Sequence, residues 1–323
     1  DYHKNLKDYL DAKLYLFRNL IKKRGNIITD SKIPEFDKIK KIAKKKFLKL
    51  NTIEGKNEKL KILTHSFHDE SQILKIKYKG LVKHIRINLI GKIQIKNILM
   101  ALIAAEKSGL NLNKILNVLP SLKPIEGRFE KVGMIKNKSK VVLDYAHTPD
   151  ALKTCLLNLK EQFPDKKIIS LFGCGGNRDQ NKRSKMGKIA DIFSDEIYLT
   201  DDNPRFESSH KIRKDIRTGI KKTKVIEISD RGKAIARAIK NLTTGEILLV
   251  AGKGHEKVQD IGKRKIFFSD KKIILKSIKT KNHSLSNNLK LNIIREVSGN
   301  KKFPFLLKLK QARINSKEVK KDD

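Results

Sequence analysis

The chain has 323 residues, enough for two or three domains, and 38% of them are hydrophobic. Lys and Arg number 74 against 35 Asp and Glu, a formal charge of +39. The excess is spread along the chain, mostly as Lys, with no Trp and no aromatic-rich basic stripe, so it argues for compositional bias and polyanionic small substrates over a specific nucleic-acid partner. Two cysteines, Cys155 and Cys174, give neither a disulfide framework nor a paired metal motif, and no apolar run reaches the length of a membrane span. A reducing, cytoplasmic setting fits. The chain opens on Asp1 and stops on a charged run, which reads as a fragment of a longer protein, so the lack of a targeting signal carries little weight.

Residues 9–24 read as an amphipathic helix containing Lys13, a position where a solvated lysine is the ordinary case. Gly25 stops it, and residues 26–29 form a short strand. Residues 30–70 read as irregular and Lys-rich. Residues 73–79 and 81–89 alternate apolar with polar around Lys79-Gly80, a hairpin signal. Gly91 precedes a strong helix over 94–108 with Asn97 in its first turns, and a second helix over 112–118 ends at Pro120. From Lys140 the pattern changes. Short apolar runs at 141–144, 168–172, 197–199, 225–228 and 247–250 alternate with helical patterns at 150–161, 183–193, 209–220 and 231–242. That alternation predicts an α/β fold, a mostly parallel sheet with helices on both faces. A last strand at 265–268 leads into a helix over 270–279. Residues 280–290 read as a polar linker, and 291–323 as the truncated start of another unit.

Open α/β sheets bind ligands at the carboxyl ends of their strands, and four loops fall there. Residues 200–207, TDDNPRFE, carry Asp202, Asn203 and Pro204 as turn chemistry, with Arg205 just beyond. A guanidinium held there suits a small ligand's carboxylate. Asp144 closes a strand, where a carboxylate either holds a ribose hydroxyl or caps a neighbouring element, and Thr148-Pro149 start the next helix. Gly173-Cys174-Gly175-Gly176 either cradles an anion or makes a structural turn, with Arg178 as a second fork. Gly252-Lys253-Gly254-His255-Glu256 places a carboxylate where it can pair with an ammonium group. Two arginines and one or two carboxylates in one crevice suit a zwitterionic amino acid. No Ser-His-Asp, Cys-His or HExxH arrangement supports a hydrolase.

GRFEKV (127–132), DYAHTPDAL (144–152), FGCGGNRD (172–179), TDDNPR (200–205), SDRGKAI (229–235) and AGKGHE (251–256) together resemble the muramyl ligases, in that family's order and spacing, over about residues 1–278. The resemblance implies the remainder of a central ATPase-type domain over 1–126, without its P-loop, and a Rossmann-like amino-acid-binding domain over 127–279. It implies an ATP- and Mg²⁺-dependent ligase joining meso-diaminopimelate to UDP-N-acetylmuramoyl-L-alanyl-D-glutamate through an acyl phosphate. Lys13 matches the lysine that members carbamylate into a Mg²⁺ ligand. Asn97, Arg128 and Asp144 match ATP-side positions, with Arg128 counted as catalytic. Arg178, Asp202, Asn203, Pro204, Arg205, Gly252 and Glu256 match the pocket for the incoming amino acid. DNPR is similar to the diaminopimelate-adding version, because lysine-adding relatives lack that arginine. The adenine-side segment departs, reading Gly91-Lys-Ile-Gln-Ile-Lys-Asn97, and KRP reads Lys182-Arg183-Ser184. Residues 312–323 resemble the first domain of the next ligase, which implies a fusion of two consecutive enzymes. A lysine-adding ligase, a basic nucleic-acid-binding protein and a non-catalytic amino-acid-binding module stand as alternatives.

Overall fold

A computed structural model of the chain describes residues 5–53 and 60–298. They divide into two units: Asp1–Ile125 with Thr154–Asp165 and Arg178–Gln180, and Glu126–Lys153 with Lys166–Asn177 and Asn181–Asp323.

The first unit begins with α1 (Leu6–Tyr15), capped by Asn5, whose Oδ1 accepts from Asp8 N at 2.9 Å. The helix predicted over 9–24 stops being α-helical at Tyr15 and continues as one π-helical stretch, Leu16–Leu20. Strand β1 (Asn26–Asp30) pairs in parallel with β2 (Lys49–Ile53). Helix α2 (Phe36–Lys45) connects them, burying Ile39 and Ala43 against Leu14, Ile27 and Leu48. Within residues 30–70, the stretches 36–45, 49–53 and 60–68 are therefore regular where the sequence reads as irregular, because α2 buries only Ile39 and Ala43 among its lysines.

Strands β3 (Leu60–His68), β4 (Ser71–Tyr78) and β5 (Leu81–Ile87) form an antiparallel sheet. The Lys79-Gly80 turn has positive φ at both residues, 50° and 84°, as a two-residue hairpin requires. Alternate residues of β4, Leu74, Ile76 and Tyr78, pack against α3 (Lys92–Lys107) and α4 (Leu112–Val118). Gly91 has no side chain with which to cap α3. The capping comes instead from the carboxyl-terminal half of α5 (Pro149–Gln162), where Asn158 Oδ1 accepts from Ile93 N at 2.9 Å and Gln162 Oε1 from Gly91 N at 2.6 Å.

The second unit is built on a six-stranded sheet of β6 (Glu130–Met134), β7 (Lys140–Asp144), β8 (Ile168–Phe172), β9 (Glu196–Leu199), β10 (Lys224–Glu227) and β11 (Ile247–Ala251). The spatial order is β10-β9-β8-β11-β7-β6. Strands β7 to β11 are parallel, and β6, which the sequence pattern missed, adds an antiparallel edge. Parallel strands need crossovers, supplied by α5, α6 (Asn181–Phe193), α7 (Ser209–Arg217) and α8 (Arg231–Asn241). Thr148 Oγ1 accepts from Ala151 N at 3.3 Å, so the side chain that marks the start of α5 in sequence caps it, and Asp230 Oδ1 accepts from Lys233 N at 2.8 Å to cap α8. Helix α8 packs with α9 (Asp270–Ser298) over Val141, Leu143, Leu171, Leu248 and Val250 on one face of the sheet. A small antiparallel hairpin, β12 (Val258–Asp260) with β13 (Lys265–Phe267), follows β11.

Helix α9 runs straight through residues 280–290, where polar composition predicts a linker. The polar residues are anchors. Lys281 Nζ caps the end of α8, donating to the carbonyls of Ile239 at 3.0 Å, Lys240 at 2.9 Å and Leu242. Asn282 Oδ1 accepts from Lys136 N at 2.8 Å, and Leu285 joins the core. Residues 299–323, most of the segment read as a second unit, lie outside the described residues.

Candidate amino-acid site

The carboxyl ends of β7, β8, β9 and β11 carry the four loops picked out in the sequence, and the second unit binds three of them together through side chains. Asn203 is the hub and is buried. Its Nδ2 donates to Glu256 Oε2 at 3.0 Å, its Oδ1 accepts from Lys253 Nζ at 2.8 Å and Asp260 N at 2.9 Å, and its carbonyl accepts from Gly176 N at 2.9 Å. One side chain thus ties the turn after β9 to the loop after β11, and its backbone ties that turn to the glycine loop after β8.

Arg205 sits in the left-handed region, φ 52°, which L-residues other than Asn and Asp rarely adopt. Its backbone N–H donates to Asp260 O at 3.1 Å and its Nη1 to Gly176 O at 2.8 Å, with Nε 3.7 Å from Asp260 Oδ2. The Arg205 side chain is 23% exposed, so it runs inward along the loops without being fully covered. Pro204 closes the turn by accepting from Glu207 N at 3.0 Å.

Asp202 is buried, with Oδ1 accepting from Asn203 N at 2.7 Å and its carbonyl from Gln259 Nε2 at 2.7 Å. Gly252 has φ 115°, and a Cβ there would stand 2.7 Å from Asp202 Oδ2. Asp201 points away, onto Arg213, which also holds Glu227 at 2.7 Å.

Glu256 does pair with an ammonium group, as its sequence position suggests, and that group belongs to Lys253. Lys253 Nζ donates to Glu256 Oε2, Asn203 Oδ1 and Val258 O, each at 2.8 Å, and the side chain is 0% exposed. Burial alone would raise the Glu256 pKa, but the bonds from Lys253 and Asn203 hold it below the ordinary carboxylate value. Tyr145 reaches the same carboxylate, and burial followed by that negative charge pushes its hydroxyl up. Beneath lies Arg231, 1% exposed, its Nε and Nη2 bonded to Asp270 Oδ1 and Oδ2 at 2.8 and 2.7 Å. Burial opposes its charge, while Asp270 and, less strongly, Asp202 and Glu256 sustain it.

The glycine loop serves packing. A side chain on Gly173 or Gly176 would overlap the Thr200 or Pro204 carbonyl. These glycines let the β8 and β9 loops touch, which gives the structural-turn reading a packing reason. Cys174 is no nucleophile, because burial pushes its thiol up to about 12.

Asp144 caps as well as closes its strand, with Oδ2 accepting from Phe129 N at 2.6 Å and Oδ1 from Ala146 N at 2.7 Å. It braces the turn that carries Arg128, whose exposed guanidinium lies 4.7 Å from the Tyr145 ring centre. Arg178, Lys13 and Asn97 belong to the first unit and are exposed. Lys13 lies in the last turn of α1 with Nζ 4.8 Å from the Tyr9 ring. Among the described residues no group of three or more His, Cys, Asp or Glu could hold a metal ion, so these residues do not by themselves make a magnesium site. No helix among them is long and apolar enough to cross a membrane.

Sequence reading missed Lys253, Tyr145 and Gln259 as parts of this network. The available signal was Gly252-Lys253-Gly254, a lysine between two glycines of positive φ, where the chain turns tightly enough to bring the ammonium inside.

Comparison with known proteins agrees with this layout. The Mur ligase middle domain model matches residues 1–105, and the Mur ligase glutamate ligase domain model matches 127–254. A UDP-N-acetylmuramoyl-L-alanyl-D-glutamate--2,6-diaminopimelate ligase from Rickettsia montanensis is 38% identical over 280 residues, 86% of this chain and 57% of that protein. Its namesake from Rickettsia bellii is 39% identical over 274 residues, 84% of this chain and 57% of that protein. The chain thus spans less than two thirds of the curated relatives it matches. A solved structure of an enzyme with the same name superposes with a TM-score of 0.59 at 29% identity, covering 87% of this chain and 58% of that one. MurF ligase from Thermotoga maritima in complex with ADP shares the fold, with a TM-score of 0.63 at 16% identity, over 88% of this chain and 60% of that one.

Proposed function

We propose, because this chain belongs to the Mur ligase family, that it carries the amino-acid pocket of an ATP-dependent ligase adding meso-diaminopimelate to UDP-N-acetylmuramoyl-L-alanyl-D-glutamate. The supporting observation is the setting of Arg205. It is a positively charged, partly exposed side chain fastened to the glycine loop and to Asp260, on the turn that carries buried Asp202 and Asn203, with the half-buried Glu256 bonded to Asn203. Diaminopimelate carries an ammonium and a carboxylate at each end. In this reading Arg205 takes the distal carboxylate, and Asp202 and Glu256 take the distal ammonium. Lysine has no distal carboxylate to offer Arg205, which disfavours the lysine-adding alternative.

In the reaction proposed, the glutamate γ-carboxylate becomes an acyl phosphate, the free amine attacks its carbonyl carbon, and inorganic phosphate leaves. Holding the amino acid at one end fixes where its other amine lies, and such positioning supplies much of a ligase's rate. Arg128, exposed beside Tyr145 on a turn braced by Asp144, is the second unit's cation for the phosphates, and Asn97 is the first unit's nucleotide-side group. ATP would supply the phosphoryl group. A carbamate on Lys13 would supply a carboxylate-like magnesium ligand, with the remaining ligands coming from outside the described residues. Residues 1–126 then belong to the central domain and 127–279 to the amino-acid domain. The nucleotide substrates place the reaction in the cytoplasm, in peptidoglycan precursor synthesis.

The test is phosphate release by the product of the intact gene, with the UDP-linked dipeptide, ATP and either amino acid. Release with diaminopimelate and little with lysine supports the reading, and equal release with both defeats it. The same gene sequence decides whether residues 291–323 open a second ligase, since a stop codon directly after Asp323 ends that idea.

A further inference from the structure

We propose that Lys253 is the positioning residue of this pocket, a buried ammonium that holds Asn203 and Glu256 in the arrangement able to receive a substrate ammonium. The proposal rests on the reading of the pocket just given.

Lys253 cannot act on substrate directly. An ammonium has three N–H donors, and all three are used, on Asn203 Oδ1, Glu256 Oε2 and Val258 O at 2.8 Å each, in a side chain with no exposed surface. Its effect must pass through its partners, and it does two things to them. First, it fixes the Asn203 amide. With Oδ1 held by Lys253 Nζ and Asp260 N, Nδ2 has to face Glu256, and the reversed amide would set an oxygen against a carboxylate. Second, it keeps Glu256 ionised. Glu256 is faced by Lys253 and Asn203, by the Tyr145 hydroxyl from the β7 loop, and at longer range by Arg231 at the start of α8, with Asp202 the neighbouring anion. Asp270 already neutralises Arg231, so Lys253 is the buried cation whose charge is assigned to Glu256. Without it, burial, which works to raise the Glu256 pKa, loses its main counterweight, and a neutral carboxyl offers an ammonium no ion pair.

The loop is shaped for this task. Gly252 and Gly254 have φ of 115° and 51°, and a Cβ on either would meet Asp202 Oδ2 at 2.7 Å or Gly127 O at 2.7 Å. Only a glycine on each side lets the chain pass this close beneath the pocket and deliver a lysine into it.

The experiment compares Lys253→Met with wild type in the product of the intact gene, after thermal melting has shown both folded. The expected result is a KM for diaminopimelate raised on the order of 100-fold, with the KM for ATP and for the UDP-linked dipeptide within about 3-fold of wild type. The diaminopimelate KM of the variant should also fall as pH rises, because Glu256 now titrates, whereas wild type shows no such limb. A purely structural role would raise all three KM values together with no new pH limb, and that pattern overturns the proposal. So does a folded variant with an unchanged diaminopimelate KM. Where Lys253→Met alone does not fold, Lys253→Met with Glu256→Gln removes both charges. That double variant should fold, bind diaminopimelate on the order of 100-fold more weakly and show no pH limb. Wild-type affinity in it overturns the proposal. A wild type that ignores diaminopimelate sinks the reading of the pocket and this proposal with it, whereas an active wild type with an indifferent variant sinks only the role of Lys253.

Discussion

The candidate functional residues of the two units are held in opposite ways. In the second unit, Asp202, Asn203, Glu256, Lys253 and Arg231 are bonded to one another or to backbone beneath the sheet's carboxyl edge, and most are buried. In the first unit, Lys13 and Asn97 sit exposed on helices. A pocket that selects among amino acids must be rigid before its ligand arrives, so it carries its own partners. In the proposed reading Lys13 awaits modification and Asn97 a nucleotide, and both stay accessible. The difference predicts that substitutions in the second unit cost stability as well as function, while those at Lys13 and Asn97 cost function alone.

The largest effect should come from Asp270→Ala, which leaves Arg231 charged, buried and unpaired. Breaking such a pair costs about 3–5 kcal/mol, and thermal melts of the chain should show the unfolding midpoint falling accordingly. A midpoint near wild type would mean that the buried network is not what holds the pocket. Next is Gly252→Ala, which combines φ 115° with a Cβ 2.7 Å from Asp202 Oδ2. A loss of about 1–3 kcal/mol is expected from denaturant melts, together with weaker diaminopimelate binding.

A polar link away from the pocket sharpens the contrast. Asp191 accepts from Lys221 N, Lys222 N and Thr223 N at 3.1, 3.0 and 2.7 Å. Burial works to raise its pKa, but these three N–H groups lower it from 3.8 to about 2. A depressed carboxylate contributes stability that is complete above its unfolded pKa and lost as pH falls through the folded one. Asp191→Asn should therefore be less stable than wild type at pH 7, with the gap closing between about pH 4 and 2. A gap independent of pH would contradict the assignment. The smallest effect is expected for Lys13→Ala, within about 0.5 kcal/mol of wild type in the same melts, because that side chain is exposed on α1.

The same contrast explains what could be read from the sequence. The parallel core was legible because strands such as 168–172 and 247–251 are buried along their whole length and read as nearly continuous apolar runs. The hairpin at Lys79-Gly80 was legible from its turn. Helix α2 was not, since lysines surround its buried Ile39 and Ala43, and neither was β12, three residues with one buried side chain. The linker reading of 280–290 failed because hydrophilic residues there make tertiary bonds, which composition does not encode. In the site, the motifs marked Asp202, Asn203, Arg205 and Glu256, whereas the burial of Lys253 was signalled only by its two flanking glycines.

The central claim is that Arg205 reads a carboxylate at the far end of the amino acid. It is tested most directly by the ratio of kcat/KM for diaminopimelate over lysine, in the intact gene product and in its Arg205→Met variant. The account predicts a wild-type ratio of on the order of 100 or more, collapsing toward unity in the variant chiefly through loss of diaminopimelate use. A ratio that survives the loss of the guanidinium would contradict it.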